Sequence, residues 1–488
     1  MEGTEQLTFD AVLSAIDDFV WGLPTIILIL ATGILLTIRL KGMQFTKLTL
    51  GFKSMFKKSD SAGKGELSPF AALCTALSAT IGTGNIVGVA TAIAEGGPGA
   101  LFWMWFAALL GTATKYTECM LALKYRSHAE DGHILGGPFY TIEKGMKERT
   151  GISWKWLAVL FAVFGVCVGL FGIGTFTQIS GITTAVKNAF DSEGRNIAFS
   201  LFGDEYTWSV VISGLIVTFF VALVLIGGLK RISKVAEKVV PAMAVIYVFL
   251  GLSVLLMNAT KIPDAFAVIF RNAFGMRAVA GGAMGFVMKQ ITESMQKGIA
   301  RGIFSNEAGL GSAPIAASAA KVEEPVEQGL VSMLGTFIDT IIICTMTGLA
   351  IVIAFYSGAD ANYEHGLKGI ELTSAAFSRV LGGDGKSVQF LLMICLVFFA
   401  FTTILGWNYY SEKCLEYLTN GNLTVVKVFR WLYIAAVFIG PYFTISQVWQ
   451  IADITNALMA IPNCISLIVL SGIAARETES FFKRKNSL

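Results

Sequence analysis

The sequence predicts an all-α polytopic membrane protein of about eleven transmembrane helices, one standing alone at the N-terminus and ten forming two inverted halves of five. Three observations predict this. First, 54% of the 488 residues are hydrophobic, only 15% are charged, and the mean hydropathy is +0.66. An average soluble domain carries about 25% charged residues, so a soluble chain of this composition could not cover its surface with polar groups. A coiled coil, a disordered chain and a nucleic-acid-binding protein are excluded on the same ground. Second, eleven runs are long and apolar enough to span a bilayer. Third, Lys and Arg alternate between the connections that join those runs.

A hydrocarbon core of about 30 Å takes about 20 apolar residues of helix. That ruler marks spans one to eleven at residues 19–38, 69–94, 100–123, 156–186, 208–229, 238–257, 279–304, 328–355, 388–410, 428–445 and 448–473. Helices are expected because backbone crossing a bilayer must satisfy its own hydrogen bonds, and these runs exceed the length of barrel strands. Connections after spans one, three, five and nine, together with span seven and its tail (Lys289, Lys297, Arg301 and Lys321) and the C-terminus, hold 28 Lys and Arg. The other connections hold eight, and Lys115 lies within span three. Cytoplasmic loops carry the excess of Lys and Arg. The N-terminus is therefore expected outside and the C-terminus in the cytoplasm of a plasma (inner) membrane. The start, MEGTEQLTFDAVL, lacks a basic n-region, so no cleaved signal peptide is expected.

No Pro- or Ser-rich linker divides the chain, and residues 1–488 read as one transmembrane domain. Span one (19–38) reads as the extra helix, 69–257 as the first repeat and 279–473 as the second. The outside connections 187–207 and 357–387 are polar and are expected to form short surface helices or caps. Three histidines (His128, His133, His365) form no ligand cluster, so no zinc or haem is expected. Of seven cysteines none stands in a C-x-x-C pair, and they read as packing residues.

Span two is interrupted. It reads SPFAALCTALSATIGTGNIVGVATAIAEGGPGA, with Ser68 as N-cap and Pro69 at the first helical position. Its middle, Ser78 to Asn85, holds two glycines and three hydroxyl residues and is a poor helix. A break there exposes carbonyls from the first half and N–H groups at the start of the second. The carbonyls and hydroxyls suit Na⁺, and the N–H groups suit a carboxylate. The alternative is a small-residue face for helix packing, with Gly84 and Gly88 at G-x-x-x-G spacing. Span seven is the second interrupted one, passing from apolar Ala280–Met288 into Lys289-Gln290-Ile291-Thr292-Glu293-Ser294. If span one is an addition, spans two and seven each come first in a half. Broken helices at matching positions of two inverted halves point to the binding site of a secondary transporter.

Among the other spans, three holds Lys115 and Glu118, close enough to pair on a helix, and they read as a structural pair. Span four places Phe171, Thr175 and Gln178 at i, i+4 and i+7 on one stripe. Gln178 is an amide that needs partners, either a ligand or a neighbouring helix. In span nine, Thr402 and Thr403 follow Phe399 at i+3 and i+4. Mid-helix threonines often bond their own i−4 carbonyls. Trp407 is either a pocket wall or an interfacial anchor. Asp339 in span eight and Asp453 in span eleven are intramembrane acids, hence candidates for a second cation site or a proton relay.

Five blocks resemble the alanine-or-glycine:cation symporter family. They are TALSATIGTGNIVGVATAIAEGGPGALFWMW (75–105), KYTECMLALKYR (115–126), GGPFYTIEKGM (136–146), GIFSNEAGLGSAPIAASA (302–319) and GWNYYSEKC (406–414). The resemblance runs from about Trp21 to about Arg476. It implies a LeuT-type five-plus-five inverted repeat with one added helix. It also implies Na⁺-coupled symport of small neutral amino acids such as alanine and glycine, with no organic cofactor. On that model Na⁺ is held by oxygens of Ser78, Ile81, Phe399, Thr402 and Thr403. The substrate is held by Gly82, Thr83, Gly84, Asn85, Phe171, Thr175, Gln178 and Trp407, with Gln290, Ile291 and Thr292 at the second break. The other function classes are an H⁺-coupled symporter or exchanger, a channel and a membrane enzyme. Against an enzyme, no metal-ligand cluster, G-x-S-x-G or phosphate loop is present. Against a channel, the chain carries two broken helices in inverted halves.

Overall fold

Over their described residues, the eleven apolar runs lie on helices. The structure, a computed structural model, describes residues 9–56, 65–129, 132–191, 193–201, 204–275, 284–357, 366–382, 385–443 and 445–486. Among these, eight helices are long and apolar enough to cross a membrane, and a ninth crossing is a pair bent by 51° at a break. That pair is span two, Pro69–Thr80 followed by Gly84–Gly96. The helices of spans three and seven, Gly99–Lys124 and Met284–Asn306, are 26 and 23 residues long but less apolar. Their polar residues face the protein interior: Thr112, Thr114, Lys115, Thr117 and Glu118 in the first, and Ser294, Arg301, Ser305 and Asn306 in the second, are all buried.

Span one is Leu23–Arg39, preceded by an amphipathic helix Phe9–Val20 and separated from it by Trp21 and Gly22. Span four breaks at Gly172–Thr175 into Lys155–Phe171 and Phe176–Phe190. Spans five and six are Trp208–Leu225 and Gly228–Met257. Span eight runs from Pro325 to Phe355, with π-helical backbone over Phe337–Cys344. Spans nine, ten and eleven are Gly385–Leu418, Leu423–Ile439 and Ile445–Asn486. Ser68 caps span two as expected: its hydroxyl accepts from Ala71 N at 3.0 Å, with Pro69 in the first turn. The 187–207 connection is not purely helical. After span four ends at Phe190, Ile197–Leu201 and Asp204–Thr207 pair as an antiparallel hairpin. The 357–387 connection carries the expected short helix, Gly369–Leu381.

The two ends of the bundle are marked by distinct contacts. At one, Glu95 closes span two and pairs with Lys297 at 2.9 Å. A Cβ on Gly96 would lie 3.0 Å from the Lys297 side chain. At the other, Leu67 bridges Ala320, and Arg126 Nη1 donates to the carbonyls of Ser318 and Ala320 at 2.7 Å. Lys297 and Arg301 therefore sit in the half of span seven that faces the Glu95 end, and Lys289 lies further toward that end. Hydropathy alone groups these three with Lys321. Regrouped, 25 Lys and Arg stand against 11, so the charge asymmetry keeps its sign. They lie within a helix because each has an acidic partner. Lys289 pairs with Glu293, Lys297 with Glu95, and Arg301 with Asp453.

Candidate functional site

The backbone of span two leaves the helix at Ile81, whose φ and ψ are −78° and 101°. In a continuous helix Gly82 N would donate to Ser78 O. Here Gly82 N donates to the side chain of Asn85 (Oδ1, 2.9 Å). The Asn85 side chain thus reaches back three residues to cap the start of the second half of span two, as the N3 side chain of a capping box does. The next N–H, of Thr83, donates to Gln178 Oε1 of span four at 3.0 Å. The Gln178 amide donates in turn to Ile173 O at 2.9 Å. Gln178 thus has protein partners at both ends of its amide. The second half opens as π-helix over Gly84–Gly88. Its displaced carbonyls are met from outside: Thr347 donates to Asn85 O at 2.7 Å and Thr373 to Ile86 O at 2.8 Å.

Span nine meets the same break. Thr403 Oγ1 lies 3.1 Å from Ile81 O and 3.0 Å from Phe399 O. Three neutral oxygens from two distant segments therefore converge. None of them titrates near neutral pH. Oxygens of this kind could hold a hard monovalent cation, but they could not hold a proton near neutral pH. A Cβ on Gly82 would fall 2.6 Å from Thr403 Oγ1 and 2.8 Å from Gln178 Oε1. Gly82 is thus where the Thr403 hydroxyl and the span-four amide close on the same stretch of backbone. Thr83 is fully buried, its hydroxyl has no hydrogen-bond partner among the described residues, and its methyl fits against Gly181.

The break of span seven lies at Glu307–Ser312, not at Gln290-Ile291-Thr292. Residues 290–292 lie inside the unbroken helix Met284–Asn306. At 1.5 Å per residue, Thr292 is about 21 Å along the axis from Asn306. The true break follows from its backbone: Glu307, Gly309 and Gly311 have φ of 56°, 91° and 79°, which no right-handed helix continues. The helix end just before it packs against the break of span two. A Cβ on Gly84 would lie 3.0 Å from Ser305 Cα.

Two buried carboxylates organise this meeting. Glu307 accepts from Trp407 Nε1 at 2.7 Å and from Ser312 at 2.7 Å, with Thr80 at 3.5 Å. Asp339, in the π-helical part of span eight, accepts from Asn85 Nδ2 at 2.6 Å and from Ser305 and Thr340 at 2.8 Å. Sequence reasoning missed Glu307. Its signal is an acid followed by two spaced glycines in SNEAGLGS, whereas the upstream charges point instead to Gln290, Ile291 and Thr292. Asp339 is an organiser of the site, bonded to the cap residue of span two. Asp453 is the partner of Arg301 across 2.8 Å and its carbonyl accepts from Trp21 Nε1. It ties span seven to span eleven and to the N-terminal segment. Lys115 and Glu118 stand 3.7 Å apart, both buried. Asn463 donates to Glu118 and to Gly309 O, so this pair braces the second break.

Of the expected residues, Ile81, Gly82, Thr83, Asn85, Gln178, Phe399 and Thr403 come together, and Gly84 stands at the contact of the two breaks. Trp407 is fully buried, with its side chain against Gly174, so it is no interfacial anchor. Others depart from expectation. Phe171 is 44% exposed at the end of its helix, because the turn at Gly172 breaks the stripe that would have aligned it with Gln178. Thr175 bonds Leu170 O at 2.6 Å and caps that same turn. Thr402 turns its hydroxyl to Phe398 O and Phe399 O, toward Met243, one helical step away from Ile81. The Ser78 hydroxyl bonds Thr75 O, while its carbonyl is relieved of its helical donor by the Asn85 cap.

The whole chain resembles known proteins. Residues 5–488 match the model of the sodium:alanine symporter family. A sodium/alanine symporter of Methanococcus maripaludis, AgcS, is 43% identical over 484 residues, covering 98% of this chain and 99% of the relative. A probable sodium/glutamine symporter of Bacillus subtilis, GlnT, is 35% identical over 482 residues, covering 99% and 92%. In structure, the chain is similar to MhsT, solved in complex with L-phenylalanine, with a TM-score of 0.53 and 14% identity, over 85% of this chain and 98% of that one. That likeness establishes the LeuT-type fold.

Proposed function

The chain belongs to the sodium:alanine symporter family, and from that premise we propose that it carries small neutral amino acids, alanine and glycine among them, into the cell together with Na⁺. One observation carries this reading. The short segment Ile81–Thr83 turns a carbonyl toward Thr403 and an N–H toward Gln178. A cation held by the Ile81, Phe399 and Thr403 oxygens and a carboxylate received by the Gly82–Asn85 N–H groups would order the same three residues. Each would then favour the other's binding, and such a benefit is reciprocal. The Ser78 carbonyl is the natural further oxygen.

In this reading the substrate carboxylate displaces the Gln178 and Asn85 side-chain oxygens from the break. Glu307, beside Trp407, supplies the negative charge that faces the substrate ammonium. Trp407 bounds the side-chain space and restricts it to small residues. The two inverted repeats, 69–257 and 279–473, move relative to one another around the paired breaks to open the site to each side in turn. The N-terminus lies outside and the C-terminus in the cytoplasm.

The deciding measurement is uptake of labelled alanine into proteoliposomes under a Na⁺ gradient, a pH gradient, or both, with glycine and glutamine as competitors. Na⁺-driven uptake, saturable and showing counterflow, is the expected result. A second reading, H⁺ coupling, is favoured by the burial of Glu307 and Asp339 at the breaks. Uptake driven by the pH gradient alone would select it. Glu307→Gln keeps the size of the side chain and removes its charge. It is expected to weaken alanine binding about tenfold or more, since hydrogen bonds to charged groups contribute about 1.5–3 kcal/mol.

A further inference from the structure

Far from the breaks, the end of span one and the tail of span eleven enclose a recess of about 310 Å³. It lies at the end of the bundle marked by Leu67 and Ala320, where the apolar run of span one stops at Arg39. Four cations line it: Arg39, Lys41, Lys47 and Lys483. The single acid in its wall, Glu479, stands 4.0 Å from Lys41 and 3.2 Å from Lys483. Among the described residues neither Arg39 nor Lys47 has a carboxylate within ion-pair distance. Arg39 lies over Gly472, and Lys47 sits 4.9 Å above the ring of Phe482. The recess thus holds three more positive than negative charges.

The recess also has apolar lining, Leu40, Met43 and Phe482. Ile38 and Phe45, each next in sequence to a lining residue, are 69% and 62% exposed. Cations at the foot of a hydrophobic helix, beside exposed apolar side chains, mark the level where a phosphate headgroup meets its acyl chains. A soluble anion would use the charges and leave Ile38 and Phe45 without a role.

We propose that this recess binds an anionic phospholipid, its phosphate held by Arg39, Lys41 and Lys483 and its acyl chains lying along Ile38 and Phe45. The lipid would bridge span one to the last helix and hold the peripheral helix against the bundle.

The test uses the full chain in a neutral detergent, titrated with phosphatidylglycerol, with phosphatidylcholine of the same acyl chains, or with inorganic phosphate. Phosphatidylglycerol is expected to remain bound in intact-protein mass spectra and to raise Tm by about 2–4 °C, as a ligand selective for the folded state does. The triple variant Arg39→Gln, Lys41→Gln, Lys483→Gln should lose most of that shift. Its Na⁺-dependent alanine uptake and its Tm without lipid, both independent of the recess, report that it is folded. Equal shifts from phosphatidylcholine, a shift from inorganic phosphate matching that of the lipid, or a variant that responds like the parent would each overturn the proposal.

Discussion

Trp407 Nε1 donates to Glu307 Oε1 across 2.7 Å, and neither side chain is exposed. The bond joins span nine to the break of span seven. It gives Trp407 two separable contributions, ring volume and a hydrogen bond to a carboxylate.

Trp407→Phe keeps an aromatic ring and deletes the donor. Loss of a hydrogen bond to a buried charged group costs about 1.5–3 kcal/mol. Alanine uptake is therefore expected to fall about 10- to 100-fold, with the protein still folded in the membrane. Trp407→Ala removes the wall as well and should admit leucine in competition assays. Unchanged uptake and selectivity in both variants would reduce Trp407 to a packing residue.

The glycines of span two are not equivalent. At Gly82 a methyl would meet Thr403 Oγ1 and Gln178 Oε1 at 2.6 and 2.8 Å, whereas at Gly88 the nearest atom is 4.0 Å away. Gly82→Ala should abolish or sharply reduce uptake, and Gly88→Ala should leave it near normal and slightly favour the helix. This pair separates a binding break from a helix-packing stripe. Loss of uptake at Gly88 with retention at Gly82 would restore the packing reading.

Much of the fold was legible because a bilayer leaves few choices. Apolar run length and the demand for satisfied backbone place the spans, and Ser68-Pro69 states its own helix start. The break of span two was legible from T-I-G-T-G-N. The break of span seven was not. Hydropathy responds to Lys289 and Arg301, but these charges are met by Glu293 and Asp453 and leave the helix intact. What breaks the chain is backbone conformation at Glu307, Gly309 and Gly311, a signal that composition hides among the many small residues of 302–319. Phe171 failed for a related reason. Periodicity carries a stripe through Gly172-Ile173-Gly174 as if the helix continued, and it does not. The partners that decide Thr402 from Thr403 are tertiary and have no local signature.

Orientation is open to direct chemical labelling. Positive-inside placement puts the 124–155 connection in the cytoplasm and the 357–387 connection outside. Gly145 is a poor probe position, because a Cβ there would strike the Tyr125 ring at 2.7 Å. Glu148 and Glu371 are exposed and serve instead. Six of the seven native cysteines are buried and Cys167 is half-buried, so background reaction is low. In intact cells an impermeant thiol reagent should modify Glu371→Cys and spare Glu148→Cys. The opposite pattern would invert the topology.

The cation prediction turns on the separation of Thr403 from Thr402. Thr403 Oγ1 faces both Ile81 O and Phe399 O, whereas the Thr402 hydroxyl points to Phe398 O, Phe399 O and Met243 Sδ and not to span two. Thr403→Ala removes an oxygen that a Na⁺ ion would need to replace its water shell. It should raise the half-saturating Na⁺ concentration about tenfold, which corresponds to about 1.4 kcal/mol. Because ion and substrate lean on one segment, alanine affinity should fall at limiting Na⁺ and recover at high Na⁺. Thr403→Ser keeps the oxygen and should be mild. Thr402→Ala should change Na⁺ dependence little, since its hydroxyl meets Phe398, Phe399 and Met243 and no atom of span two. A Thr402 variant as impaired as the Thr403 variant would move the ion away from Ile81. Uptake that ignores Na⁺ and follows pH in every variant would transfer the coupling role from these neutral oxygens to Glu307 and Asp339.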